Sequence, residues 1–134
     1  MDTSGLKIGE VTERTGLSVP TLRHYDHLGL VTPSGRTPGG FRLYSEDDVR
    51  RILLVRRMKP LGFTLEQMRD FLTAADIIAT TGTHPDDEGA QVQREHARAT
   101  LAAIRDEARA RYEKLKKQVS YAEEFLGLTT TLEP

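Results

Sequence analysis

Apolar residues recur at helical spacing through the first half of the chain and are punctuated by residues that end helices. Ile8, Val11 and Leu17 fall at helix-like spacing around Gly16, and Ser18 can cap a second helix whose first turn admits Pro20. That helix turns Leu22, Leu28 and Leu30 toward a core, while Thr21, Arg23, His24 and Tyr25 bring hydrogen-bonding groups to its early turns. Two short helices joined by a glycine-containing turn read as a helix-turn-helix, and the early turns of the second helix are where such motifs touch DNA.

The next segment, VTPSGRTPGGFRLYS, has two prolines and three glycines around Arg36 and Arg42. Gly39 and Gly40 mark a tight turn, and Phe41, Leu43 and Tyr44 beside Arg42 suit a short strand with alternating faces, so the pattern predicts a β-wing. Ser45 with Asp48 three residues later starts a third helix, along which Val49, Ile52, Leu53 and Met58 form an apolar stripe. Arg50, Arg51, Arg56, Arg57 and Lys59 decorate it; successive residues diverge around a helix, so these cations cannot share one face and most are expected to be solvated or paired locally. Pro60 and Gly62 stop that helix, and Thr64 can cap a fourth carrying Leu65, Met68, Phe71 and Leu72.

From Gln91 to Leu126 there is neither proline nor glycine, and strong helix formers predominate. Leu101, Ile104, Ala108, Tyr112, Leu115, Val119, Ala122 and Leu126 follow one another by threes and fours, as in a coiled-coil seam. A helix of this length reaches roughly 50 Å, too far to bury its stripe on a head of about 75 residues, so a second chain is the natural partner. The alternative is a stripe that folds back on the fourth helix as ordinary core.

Composition narrows the classes. With no cysteine among 134 residues, disulfides, thiolate metal sites, iron–sulfur clusters and catalytic or redox-sensing thiols are excluded. The start, MDTSGLKIGEV, lacks the apolar core of a signal peptide, and no stretch approaches the run of about 18 apolar residues of a membrane helix, so a cytoplasmic location is expected. The net charge of −1 conceals a split: residues 1–72 carry 11 Lys and Arg against 9 Asp and Glu, and residues 73–134 carry 8 against 11. The basic surplus lies on the half that reads as DNA-binding. It is small, so local placement of the cations must carry affinity for phosphate.

Three segments in this order, IGEVTERTGLSVPTLRHYDHLGL, GGFRLYSEDDVRRI and MKPLGFTLEQM, resemble the MerR family of bacterial transcription regulators at close to the family's spacing. The resemblance implies a mainly α fold: a winged helix-turn-helix DNA-binding domain with a small β-wing, then a long C-terminal dimerisation helix that forms an antiparallel coiled coil in the dimer. It divides the chain into a DNA-binding domain over 1–75, a linker or effector loop over 76–90, the dimerisation helix over 91–126 and a frayed tail over 127–134. It implies a sequence-specific regulator that binds a pseudo-palindromic promoter as a homodimer and distorts it for RNA polymerase. The expected partners are double-stranded DNA, a second copy, RNA polymerase on the promoter and, where an effector exists, a small organic molecule. No cofactor, metal or membrane is expected.

The candidate DNA contacts are Ser18, Thr21, Arg23, His24 and Tyr25 around the second helix, Arg36, Arg42 and Tyr44 in the wing, and Lys59. Arg23 is similar to the family's arginine at that place, His24 stands where the family often has tyrosine, and Lys59 before Pro60-Leu61-Gly62 resembles the family's second wing. Tyr25 has a second reading as a core aromatic with its hydroxyl at the rim, and Arg42 a second reading as a solvated or Glu46-paired side chain. His84, Asp86, Asp87, Glu88 and His96 place imidazole and carboxylate groups close in sequence, yet acidic residues ahead of a long helix are also what its dipole favours. The family's thiolate metal sensing does not carry over without cysteine. With the sequence ending at Pro134, a large drug-binding domain is not expected, which leaves a small ligand near the linker, with Ile77, Ile78, Tyr121 and Phe125 as lining candidates, or regulation by abundance. An enzyme finds no nucleophile elbow, P-loop or HExxH motif in its favour. A nucleoid-type architectural protein and a simple blocking repressor are the competing DNA-binding classes.

Overall fold

The computed structural model describes residues 5–80 and 88–132. The chain forms two compact units, Met1–Leu72 and Thr73–Pro134. The first holds β1 (Leu6–Lys7), α1 (Ile8–Thr15), α2 (Val19–His27), β2 (Gly35–Arg36), β3 (Arg42–Tyr44), α3 (Glu46–Met58) and a 3-10 turn (Lys59–Leu61), and α4 (Leu65–Thr80) starts in it. The second holds the end of α4 and the long α5 (Glu88–Leu132).

Local chemistry sets most of these boundaries. α1 ends because Gly16 takes a left-handed φ of 72° while its N–H returns to the Thr12 carbonyl at 2.8 Å. Thr15 is fully buried in the turn; its hydroxyl donates to the Val11 carbonyl at 2.8 Å and accepts from the Leu17 N–H at 3.3 Å. Ser18 caps α2 by accepting the Thr21 N–H at 3.3 Å, with Pro20 in the first turn. Ser45 and Asp48 close a capping box on α3: the serine hydroxyl accepts the Asp48 N–H at 3.0 Å and the aspartate accepts the Ser45 N–H at 2.9 Å. Thr64 and Gln67 do the same for α4, at 3.1 and 2.9 Å.

The wing is a three-stranded antiparallel sheet in the order β1-β3-β2. β1, unforeseen in the sequence, pairs Leu6 with Tyr44 and Lys7 with Leu43, while β2 pairs Gly35 with Leu43 and Arg36 with Arg42. The core of the first unit joins Val11 of α1, Leu22 and Tyr25 of α2, Leu30 and Val31 after it, Leu43 and Tyr44 of β3, and Val49, Ile52, Val55 and Met58 of α3. Ile52 and Val55 are fully enclosed, and burial of such side chains stabilises the unit by about 1.5–3 kcal/mol each. Leu28 and Leu53, expected in the core, are only half-buried, whereas Val55 was not foreseen there.

In the second unit the helix exceeds the expected 91–126. It begins at Glu88, takes Gly89 into its first turn and continues through the segment expected to fray, as far as Leu132. Thr129 and Thr130 both donate to the Leu126 carbonyl, at 2.7 and 3.1 Å, and Thr131 donates to the Gly127 carbonyl at 2.9 Å, so the three hydroxyls are satisfied inside the helix. Likewise α4 carries the helix to Thr80, into the expected linker. His84, Asp86 and Asp87 lie outside the described residues; Glu88 and His96 are exposed on α5.

The long stripe on α5 is graded. Leu101, Ile104 and Ala108 are half-buried, but Tyr112, Leu115, Val119, Ala122 and Leu126 are exposed, so this part of the stripe is not core of the second unit. No helix among the described residues is long and apolar enough to cross a membrane.

Candidate nucleic-acid interface

α2 presents its polar face as its cap and core dictate. With Leu22 and Tyr25 turned inward, Arg23 and His24 fall on the exposed side, and Thr21 is half-buried beside them. Ser18 is exposed, but its hydroxyl is engaged locally, with the Thr21 N–H and with the Thr21 hydroxyl at 2.9 Å. Tyr25 takes the reading of a core aromatic: it is 5% exposed, and burial raises its phenol above the ordinary value.

The wing divides its candidates more sharply. Arg36 is exposed at the hairpin and donates to the Gly40 carbonyl at 3.3 Å. Arg42 is half-buried and pairs through Nε with Asp26 of α2 at 2.7 Å, so neither the solvated nor the Glu46-paired reading holds. Glu46 instead pairs with Arg14 of α1 at 2.7 Å, a bidentate contact that holds its carboxyl below the usual range. The hydrogen bond to Asp26 keeps the Arg42 guanidinium protonated with an upward shift.

Tyr44 corrects a sequence expectation. It is 1% exposed and its hydroxyl is buried without a hydrogen-bond partner, so this side chain belongs to the core and not to the DNA-facing surface. The strict alternation expected of a half-wet strand fails because β3 is the central strand and packs against both α1 and α3. Lys59 opens the 3-10 turn and is exposed there, before Gly62 reverses the chain at φ 84°. Of the cations on α3, Arg50 pairs with Asp47 at 3.0 Å, and Arg56 donates to the Thr15 carbonyl, tying α3 to the helix-turn-helix turn.

One open groove of about 1030 Å³ brings two of the candidates together, Arg23 from α2 and Arg42 from the wing, with Lys7, Thr37 and Phe41, whereas Ser18, His24, Arg36 and Lys59 do not line it. Glu10 and Glu13 also reach it, so its walls are not uniformly basic. Lys7 and Phe41 were missed as site residues. Phe41 is 71% exposed at the wing tip, where it lines the groove beside Arg42. The signal for Lys7 was the β1 pairing, which no local pattern announces.

Two helices in helix-turn-helix order, a wing beside the second and arginines of both converging on one groove form a DNA-reading head. Residues 6–75 match the family described as MerR HTH family regulatory protein. The chain belongs to the MerR family. Its match to that family is the helix-turn-helix head over residues 6–75. It is similar to the nodulation protein NolA of Bradyrhizobium elkanii, 38% identical over 104 residues that cover 77% of this chain and 45% of that protein. It is also similar to the mercuric resistance operon regulatory protein of Bacillus cereus, 39% identical over 70 residues, 52% of this chain and 53% of that one. The chain thus spans about half the length of these two curated relatives. Among solved structures, a MerR family transcriptional regulator from Listeria monocytogenes matches 94% of this chain and 86% of its own at a TM-score of 0.65 and 25% identity. The N-terminus of the Bacillus subtilis multidrug transporter activator MtaN matches 96% and 99% at a TM-score of 0.52 and 27% identity. This MerR-family head therefore carries the family's winged architecture, with its own His24 and Phe41 exposed on it.

Proposed function

We propose that this protein regulates transcription as a homodimer that binds a pseudo-palindromic promoter with two winged heads and distorts the DNA between them. The observation that carries this reading is the groove shared by Arg23 of the recognition helix and Arg42 of the wing, which lets one head engage a major-groove edge and the adjoining backbone together. Thr21, Arg23 and His24 read base edges in this scheme, Ser18 and Tyr25 support them, and Arg36, Arg42 and Lys59 hold phosphate. The domain division assigns DNA binding to residues 1–75 and dimerisation to the α5 stripe.

The exposed run from Tyr112 to Leu126 supports dimerisation, since apolar side chains at coiled-coil spacing are covered by a partner helix. An antiparallel pair of helices of 45 residues is about 67 Å long, which suits half-sites farther apart than the single turn of about 34 Å that compact dimers span. Holding both half-sites then costs a deformation of roughly 1–6 kcal/mol, offset by wing contacts to phosphate. RNA polymerase on the same promoter is the partner that reads the distorted spacer. Control is exerted by a small organic effector acting on the second unit, or by the regulator's abundance.

The test separates positioning from reading. Arg42→Ala and Lys59→Ala are expected to weaken binding to a selected operator and to a scrambled duplex alike, each flattening the salt dependence by about one unit. Arg23→Ala is expected to lose preference for the operator instead. An Arg42→Ala protein that stays folded and binds both duplexes with an unchanged slope removes the wing from the interface.

A further inference from the structure

Arg36 and Arg42 are register partners across β2 and β3, so two like charges sit opposite each other on one face of a very short hairpin. Like charges in that relation push strands apart. The carboxylate that meets them comes from the recognition helix: Asp26 Oδ2 lies 2.7 Å from Arg42 Nε and 4.0 Å from an Arg36 terminal nitrogen. The Asp26 side chain is 15% exposed and that of Arg42 30%, so the contact is partly sheltered from water and its charge-assisted bond is of the stronger kind. Arg42 engages Asp26 through Nε alone, and its two terminal amino groups make no hydrogen bond among the described residues. The guanidinium is thus held through Nε, and Arg42 lines the groove together with Arg23.

We propose that Asp26 is a specificity-determining positioning residue: it latches the wing arginines to the recognition helix, and its negative charge limits binding to DNA of arbitrary sequence. This rests on the DNA interface proposed above. The latch has two consequences. It orders the wing before DNA arrives, so the ordering cost of Arg42 is not met again on a matching site. It also leaves the three-group cluster with one net positive charge in place of two, which lowers the sequence-independent attraction to phosphate.

The experiment compares the full chain with Asp26→Asn and Asp26→Glu on a duplex that the protein selects from a random library and on a scrambled duplex of the same composition, over a range of salt. Asp26→Asn is expected to bind the scrambled duplex roughly five- to tenfold more tightly at 0.1 M salt, with a slope steeper by up to about one unit, because loss of the carboxylate frees one wing cation for phosphate. Binding to the selected duplex should stay level or weaken, so the preference for it falls by about tenfold through loss of wing order. Asp26→Glu, which keeps the charge, should return the slope to the wild-type value. A purely structural role for Asp26 would not steepen the slope on scrambled DNA. Should Asp26→Asn not fold, Asp26→Asn/Arg36→Gln compared with Arg36→Gln alone removes the opposed cations and makes the same comparison. Unchanged slope and preference in a folded variant overturn the latch. The Arg42→Ala control tells the two readings apart: a flattened slope there with no effect of Asp26→Asn sinks the latch alone, whereas no effect of Arg42→Ala sinks the interface itself.

Discussion

Tyr44 buries a phenol hydroxyl that no neighbour satisfies, a cost that a core residue of this size does not need to carry. Tyr44→Phe removes the hydroxyl and keeps the ring, so chemical denaturation should show a head as stable as wild type or more stable by about 1 kcal/mol, with DNA affinity unchanged. A variant that loses affinity would put the hydroxyl back at the interface. Its titration gives a second handle. Burial pushes the Tyr44 phenol above its ordinary value, with the Asp26 charge adding to the shift. The folded head therefore keeps this proton to higher pH than the unfolded chain does, and the stability it represents is present below about pH 10 and lost as pH rises through the folded value. Tyr44→Phe should flatten part of that alkaline loss, with Tyr25 supplying the rest. Residue types alone located Arg23 and Lys59 on the exposed surface of the head, because cations seldom enter cores. They could not show that Asp26 would meet Arg42, since that pairing depends on a hairpin folding back across 16 residues of chain.

Elements were legible wherever a short-range signal fixes them. The serine, threonine and glycine residues at helix ends act over three or four positions, and Ser18, Gly16, Ser45, Thr64 and Gly62 all lie where helices or turns begin or end. β1 was not legible, because two residues have no periodicity and their pairing with β3 lies almost 40 positions away. The end of α5 was misread for a related reason: the threonines after Gly127 are weak helix formers alone, and their bonds to preceding carbonyls form only once the helix exists. The capping box of α3 supports a direct test. Ser45→Ala should cost about 1 kcal/mol in thermal or urea unfolding, and Asp48→Ala more, because Asp48 also accepts the Ser34 N–H at 3.0 Å and the Ser34 hydroxyl at 2.6 Å. Because the Ser45 hydroxyl also accepts the Ser34 hydroxyl at 3.3 Å, equal losses would show that the two bonds from Ser34 to Asp48 add nothing beyond that contact. On α5, Leu115→Asp places a charge in the proposed seam, which costs several kcal/mol when buried unpaired. Light scattering should then report a monomer where the unaltered protein is a dimer. An unaltered chain that is monomeric at micromolar concentration sinks the coiled-coil assignment and the palindromic operator with it.

At the scale of the molecule, the family and the winged head were legible because three linked segments carry them, while the proposed occupant of the α5 stripe, a second chain, is not stated by one sequence. The account's central claim is that two such heads act as one clamp that reads matched half-sites and deforms the base pairs between them. Nuclease and chemical footprinting of the full chain on its selected operator tests this most directly, with Arg23→Ala and Leu115→Asp beside it. The expected pattern is two protected half-sites about two helical turns apart, separated by central base pairs that become hyper-reactive as the protein binds, with both features lost in the Leu115→Asp monomer. Protection that spreads along the duplex without a boundary, or a single uniformly protected and undistorted site, would contradict the account and favour a coating protein or a simple blocking repressor.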